Sequence, residues 1–183
     1  MRRGALAAGA LAAAALAAGC GGGSPSPAPQ PPAPPEALGS GYFVGTGPDG
    51  VGATVDLRAA DATVRVLEAA LRQGAPPGEP PPAVGIASVV NDSRRAAPAP
   101  RFIAVLDSGE LLPLRPAADA LGGRTDPLAR RAARLMPAPR PVLPGGASAV
   151  DYVVLRGVVP GRVAEVRMTT GTGTPARLAP RPR

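Results

Sequence analysis

The chain has 183 residues, with 20 basic against 13 acidic side chains, 24 glycines, 26 prolines, one cysteine and no histidine. The missing histidine excludes a Ser-His-Asp or Cys-His pair and every His-based zinc or copper site, and a lone cysteine excludes a disulfide within the chain. Two tyrosines, two phenylalanines and scattered arginines make a poor nucleic-acid surface.

The N-terminus opens with Arg2 and Arg3, followed by an apolar run of 16 residues from Gly4 to Gly19. A positive start, an alanine- and leucine-rich centre and small residues before a cleavage point predict a secretory signal over residues 1–19. The run is short for a bilayer-spanning helix and ends at Cys20 and three glycines, with no basic anchor after it. Leu16-Ala17-Ala18-Gly19-Cys20 resembles a bacterial lipobox, with Ala17 where leucine is usual. The resemblance implies cleavage before Cys20 and lipidation of its thiol, so that a lipid anchor ties the protein to the extracytoplasmic face of the cell membrane.

Residues 20–40 carry proline at 25, 27, 29, 31, 32, 34 and 35. Such a segment has nothing to bury and tends to polyproline II at about 3.1 Å per residue, a disordered stalk reaching roughly 60 Å when extended. The same prolines also suit a ligand for a partner domain, although a stalk after an anchor needs this composition anyway.

The remaining residues, 41–183, suffice for a single β-rich domain. Val51, Ala53, Val55 and Leu57 alternate with Gly52, Thr54, Asp56 and Arg58, the two-residue period of a half-buried strand. With Tyr42 to Val44 and the Gly47-Pro48-Asp49-Gly50 turn they predict an opening hairpin. The glycines of this turn lack the lysine of a phosphate-binding loop. Asp61 then caps a predicted helix with Val64, Leu67 and Leu71 on one stripe, stopped by Gly74, Pro76 and Pro77. A strand over 63–67 competes, because Val64 and Val66 also alternate with Thr63 and Arg65.

Further strands are predicted over Val84–Val90 and Arg101–Leu106, the second returning through Asp107-Ser108-Gly109-Glu110 into Leu111–Leu114. Pro113 limits that arm to an edge strand. Asp126-Pro127 starts a second helix, with Leu128, Ala132 and Leu135 expected inward and Arg130, Arg131 and Arg134 outward. Val150–Leu155 and Val163–Met168 follow as strands on either side of Val159-Pro160-Gly161.

The runs VGIASVVNDS, RFIAVLDSGELLPL and VLPGGASAVDYVVLRGVVPGRVAEVRM resemble the immunoglobulin-like domain of many bacterial lipoproteins, covering about half the chain from Val84 to Met168. The resemblance implies a mainly β fold, an immunoglobulin-like β-sandwich with one or two short helices, and an exported interaction or accessory role with no catalytic residues. The arginine-rich helix between about Pro116 and Met136 is a departure from that pattern. Arginine as the sole basic residue, with abundant Ala, Gly and Pro, matches proteins encoded by GC-rich DNA, as in actinobacteria.

Catalysis, if any, rests on carboxylates. Asp92, Asp107, Glu110 and Asp151 are the available acids, of which Asp92 and Asp107 sit in turn sequences that want aspartate for backbone hydrogen bonds. No run of alternating acids resembles a calcium loop, and no metal or cofactor is expected. Without Arg2 and Arg3 the 18 remaining arginines exceed the 13 acids by five, an excess suited to anionic lipid or wall polymers. Arg130, Arg131, Arg134 and Arg140 are the predicted surface for an acidic partner. The expected function is a non-enzymatic, membrane-anchored interaction module of the cell envelope. The alternative is a small envelope enzyme or solute-binding protein using carboxylates in a pocket.

Overall fold

The computed structural model describes residues 39–73, 75, 77–137, 140–171 and 173–182, which fall in one compact unit running from Ala33 to Arg183. The predicted signal, Cys20 and the linker up to Leu38 lie outside the described residues, as do Gly74 and Pro76.

Period-two alternation builds eight antiparallel strands: β1 (Tyr42–Thr46), β2 (Val51–Asp56), β3 (Ala83–Asn91), β4 (Arg101–Leu106), β5 (Leu111–Pro116), β6 (Ala147–Leu155), β7 (Val163–Thr169) and β8 (Ala176–Pro180). They close into a barrel in the order β1-β2-β3-β6-β5-β4-β7-β8. The mainly β expectation therefore holds, but the immunoglobulin-like sandwich does not. Closure depends on β8, where Ala176, Leu178 and Pro180 face inward and Arg177 and Ala179 do not. β8 pairs with both β7 and β1, joining edges that a sandwich would leave open. Gly45 permits this seam, because a Cβ there would collide with the Arg177 carbonyl.

The strands flanking Val159-Pro160-Gly161 are not neighbours: β6 pairs with β3 and β5, whereas β7 pairs with β4 and β8. A single 3₁₀ turn, Pro160–Arg162, carries the chain between them. β5 meets β4 along Leu111–Leu114 but β6 only at Arg115 and Pro116. Pro113 thus sits where the strand has a partner on one side only, which is the environment an amide without a proton tolerates.

The barrel interior is filled by Phe43, Val55, Leu155, Val166, Met168 and Leu178 among others. Ala97 and Val142 close one end through an isolated antiparallel bridge. Asn91, the single buried polar side chain among the described residues, ties that end together. Its Nδ2 donates to the carbonyls of Val142 and Arg95, each at 2.8 Å, and its Oδ1 accepts from the Ser93 amide at 3.0 Å.

A second apolar layer lies on the outer face of β3 and β6, where Val84 and Val154 point away from the barrel axis into three helices: α1 (Ala62–Arg72), α2 (Ala117–Leu121) and α3 (Pro127–Leu135). Asp61 caps α1 by accepting from the Val64 amide at 2.7 Å, and the stripe Val64, Leu67, Leu71 is buried as its spacing predicts, with Ala70 added. The competing strand over 63–67 is not formed.

Candidate functional site

The arginine surface starts from the N-terminus of α3. Asp126 accepts from the Ala129 amide at 2.9 Å and Pro127 occupies the first turn, where its missing amide proton costs nothing. Arg124 forms an ion pair with Asp126 at 2.9 Å while its Nη1 donates to the Ala70 carbonyl, so one half-buried guanidinium clamps the end of α1 to the start of α3. The Ala129 amide and the Arg124 guanidinium hold the Asp126 carboxyl below its ordinary value.

The inward face of α3 differs from the expected stripe. Ala129 and Ala132 are buried, Leu128 is half-buried and Leu135 is 45% exposed. The small pair faces inward because the helix approaches a layer already occupied by Val64, Leu67 and Leu71. At about 100° per residue, this places Arg134 on the opposite side and Arg130 and Arg131 outward on either flank of it. All three are exposed, as is Arg140 in the extended segment that follows. None of the four pairs with an acid among the described residues, and α3 itself carries no acid within Pro127–Leu135.

The four acids considered for catalysis do not come together. Asp107 bonds Arg162 at 2.9 Å, and the guanidinium's hydrogen bonds hold its carboxyl below the ordinary range. Asp92 and Glu110 are exposed. Asp151 is half-buried and accepts from the Tyr152 amide at 2.8 Å; burial pushes its carboxyl up, and the charge of Asp119 on α2 adds to the rise. Asp119 was not marked by any sequence pattern. Among the described residues no three acids or cysteines gather as a metal site.

Two cavities lined by described residues are of a size to consider. One, of about 340 Å³, lies at the end of the barrel closed by Ala97, beside Asp49, Arg94 and Arg95. The other, of about 390 Å³, lies between β5, β6 and α2, with Arg115, Arg156 and Asp119 on its walls. Arg115 and Arg156 also escaped sequence reasoning, since only the β5–β6 pairing makes them neighbours.

No described helix is long and apolar enough to cross a membrane. Comparisons with protein-family models, curated proteins and solved structures found no match to this chain.

Proposed function

We propose that the chain is an extracytoplasmic lipoprotein, held at the cell membrane through Cys20 and a proline-rich stalk, whose barrel is a non-enzymatic module docking an acidic polymer of the cell envelope on α3. The observation that carries this reading is the outward cluster of Arg130, Arg131 and Arg134, which meets no acid among the described residues and is continued by Arg140. Residues at i, i+3 and i+4 are neighbours on a helix, so Arg134 is repelled by both Arg130 and Arg131 unless an external anion intervenes. A polyanion supplies many such charges at once, and its binding weakens as salt screens them.

Two measurements test the reading. Cys20→Ala is expected to leave the protein released or as uncleaved precursor, and mature membrane-retained protein from that variant would refute the anchor. Co-sedimentation with poly(glycerol phosphate) at low salt, with vesicles containing phosphatidylglycerol as a second arm, tests the docking face. Wild-type binding that falls with salt and with Arg130→Gln/Arg131→Gln/Arg134→Gln supports it. Binding that is absent, or indifferent to the substitutions, reduces the arginines to a solvated face.

A further inference from the structure

The cavity between β5, β6 and α2 is independent of the arginine face and does not rest on the reading above. Its geometry follows from the one place where β5 and β6 pair. Arg115 lies opposite Val154 in that register, and Arg156, two residues on, emerges on the same outer face. The two cations therefore line the same cavity from adjacent chains. Arg156 is half-buried, its Nη2 donating to the Ala120 carbonyl at 3.4 Å. Neither arginine has an acid within 4.0 Å among the described residues. A partly desolvated guanidinium without an anion is a cost that a bound carboxylate would remove.

Asp119 stands on the same cavity's wall, too far from either guanidinium to form an ion pair. It therefore adds one negative charge to a wall whose other charged groups are Arg115 and Arg156. Leu112, Ala120 and Val154 supply an apolar surface. The volume, about 390 Å³, falls within the roughly 300–1,000 Å³ of small-molecule sites.

We propose that this cavity binds a small aliphatic zwitterion of the amino-acid or dipeptide class, its carboxylate on Arg115 and Arg156, its ammonium on Asp119 and its side chain on Val154 and Ala120. The presence of both signs of charge on one cavity explains the choice. A simple anion would leave Asp119 facing it, and a simple cation would meet two arginines.

Isothermal titration calorimetry of the full chain in detergent at pH 7, with alanyl-alanine as the probe, tests the assignment. The free dipeptide is expected to bind, with its N-acetyl and C-terminal amide derivatives each about tenfold weaker or worse, because each loses a charge-assisted contact. Arg156→Gln and Asp119→Asn are expected to weaken the free dipeptide by a similar factor. Asp119→Asn should leave the N-acetyl derivative unaffected, a discrimination that mere structural damage would not produce. No heat from the dipeptide at millimolar concentration overturns the proposal, as does equal binding of the capped forms. The capped ligands on the unaltered protein keep the outcome decisive even if a variant folds poorly.

Discussion

The helices α1 and α3 are capped in the same way and bury themselves in different ways. Asp61 and Asp126 each accept from the amide three residues on, at 2.7 and 2.9 Å. Beyond the cap the two diverge: α1 inserts Val64, Leu67 and Leu71, all at most 1% exposed, whereas α3 buries fully only Ala129 and Ala132, with Leu128 packed half-buried beside them. A fully buried Val or Leu side chain contributes about 1.5–3 kcal/mol and an alanine methyl about 0.8, so packing favours α1 by several kcal/mol. α1 thus belongs to the core that covers β3 and β6, while α3 rides on it, held by its cap and the Arg124 clamp. A helix held this lightly can carry a surface of arginines because its sequence has little core to supply.

The largest test of that contrast is Leu67→Ala. The side chain is wholly buried among Val64, Leu71, Val84 and Val154, and its loss is expected to lower stability by about 2–5 kcal/mol in urea unfolding followed by circular dichroism. A loss below about 1 kcal/mol would mean that the outer layer is loosely packed and that α1 is no better anchored than α3. Ala132→Leu probes the other side of the comparison. If α3 lies close over an already filled layer, the added volume is expected to cost about 1–3 kcal/mol; a neutral or stabilising effect would show room that the alanines leave unused.

How much of this was legible in the chain follows the same division between local and distant contacts. The alternation of Val51, Ala53 and Val55 and the caps at Asp61 and Asp126 are local signals, and the structure contains the strand and both helices where those signals lie. The face of α3 departs from the expected stripe because Leu135 outweighs Ala129 in hydrophobicity, while the neighbouring helix selects for smallness. β8 carries only a weak signal in the chain, because Ala176, Leu178 and Pro180 give a five-residue alternation behind a Gly- and Thr-rich segment. Without it the strands read as a sandwich; with it they close. The cavity walls were not readable at all, since Arg115 and Arg156 become neighbours only through the two-residue contact of β5 with β6.

A smaller effect separates the two caps. Asp126→Ala removes the acceptor for the Ala129 amide and the partner of Arg124, and is expected to lower the unfolding midpoint by less than Leu67→Ala does. Because that loss is a larger share of what holds α3, hydrogen exchange in Pro127–Leu135 is expected to accelerate while α1 stays protected. The pH dependence has a definite sign. The folded carboxyl of Asp126 lies below its ordinary 3.8, so its contribution is complete above that value and is lost as pH falls through the folded pKa. Asp151 acts oppositely: its raised carboxyl opposes folding at neutral pH, and that opposition lifts as pH falls through its folded value. The difference between wild type and Asp126→Ala is therefore expected to shrink below pH 3.8, and a difference that persists unchanged in acid would assign the cap's effect to something other than its charge.

The smallest expected change in stability comes from Arg130→Gln/Arg131→Gln/Arg134→Gln. These side chains are exposed, face away from Ala129 and Ala132 and pair with no described acid, so no packing or ion pair is lost. Pairs of like charge at i,i+3 and i,i+4 destabilise a helix by about 0.2–0.5 kcal/mol each, and two such pairs, Arg130 with Arg134 and Arg131 with Arg134, are relieved together. The triple variant is thus expected to match or slightly exceed the wild type in thermal midpoint at low salt, with the gain vanishing as salt screens the repulsion. A loss of more than about 1 kcal/mol would make the arginines structural members of α3 and remove the distinction between an anchored α1 and a lightly held α3. A small, salt-sensitive gain instead identifies a repulsion held within the fold that an external anion would relieve.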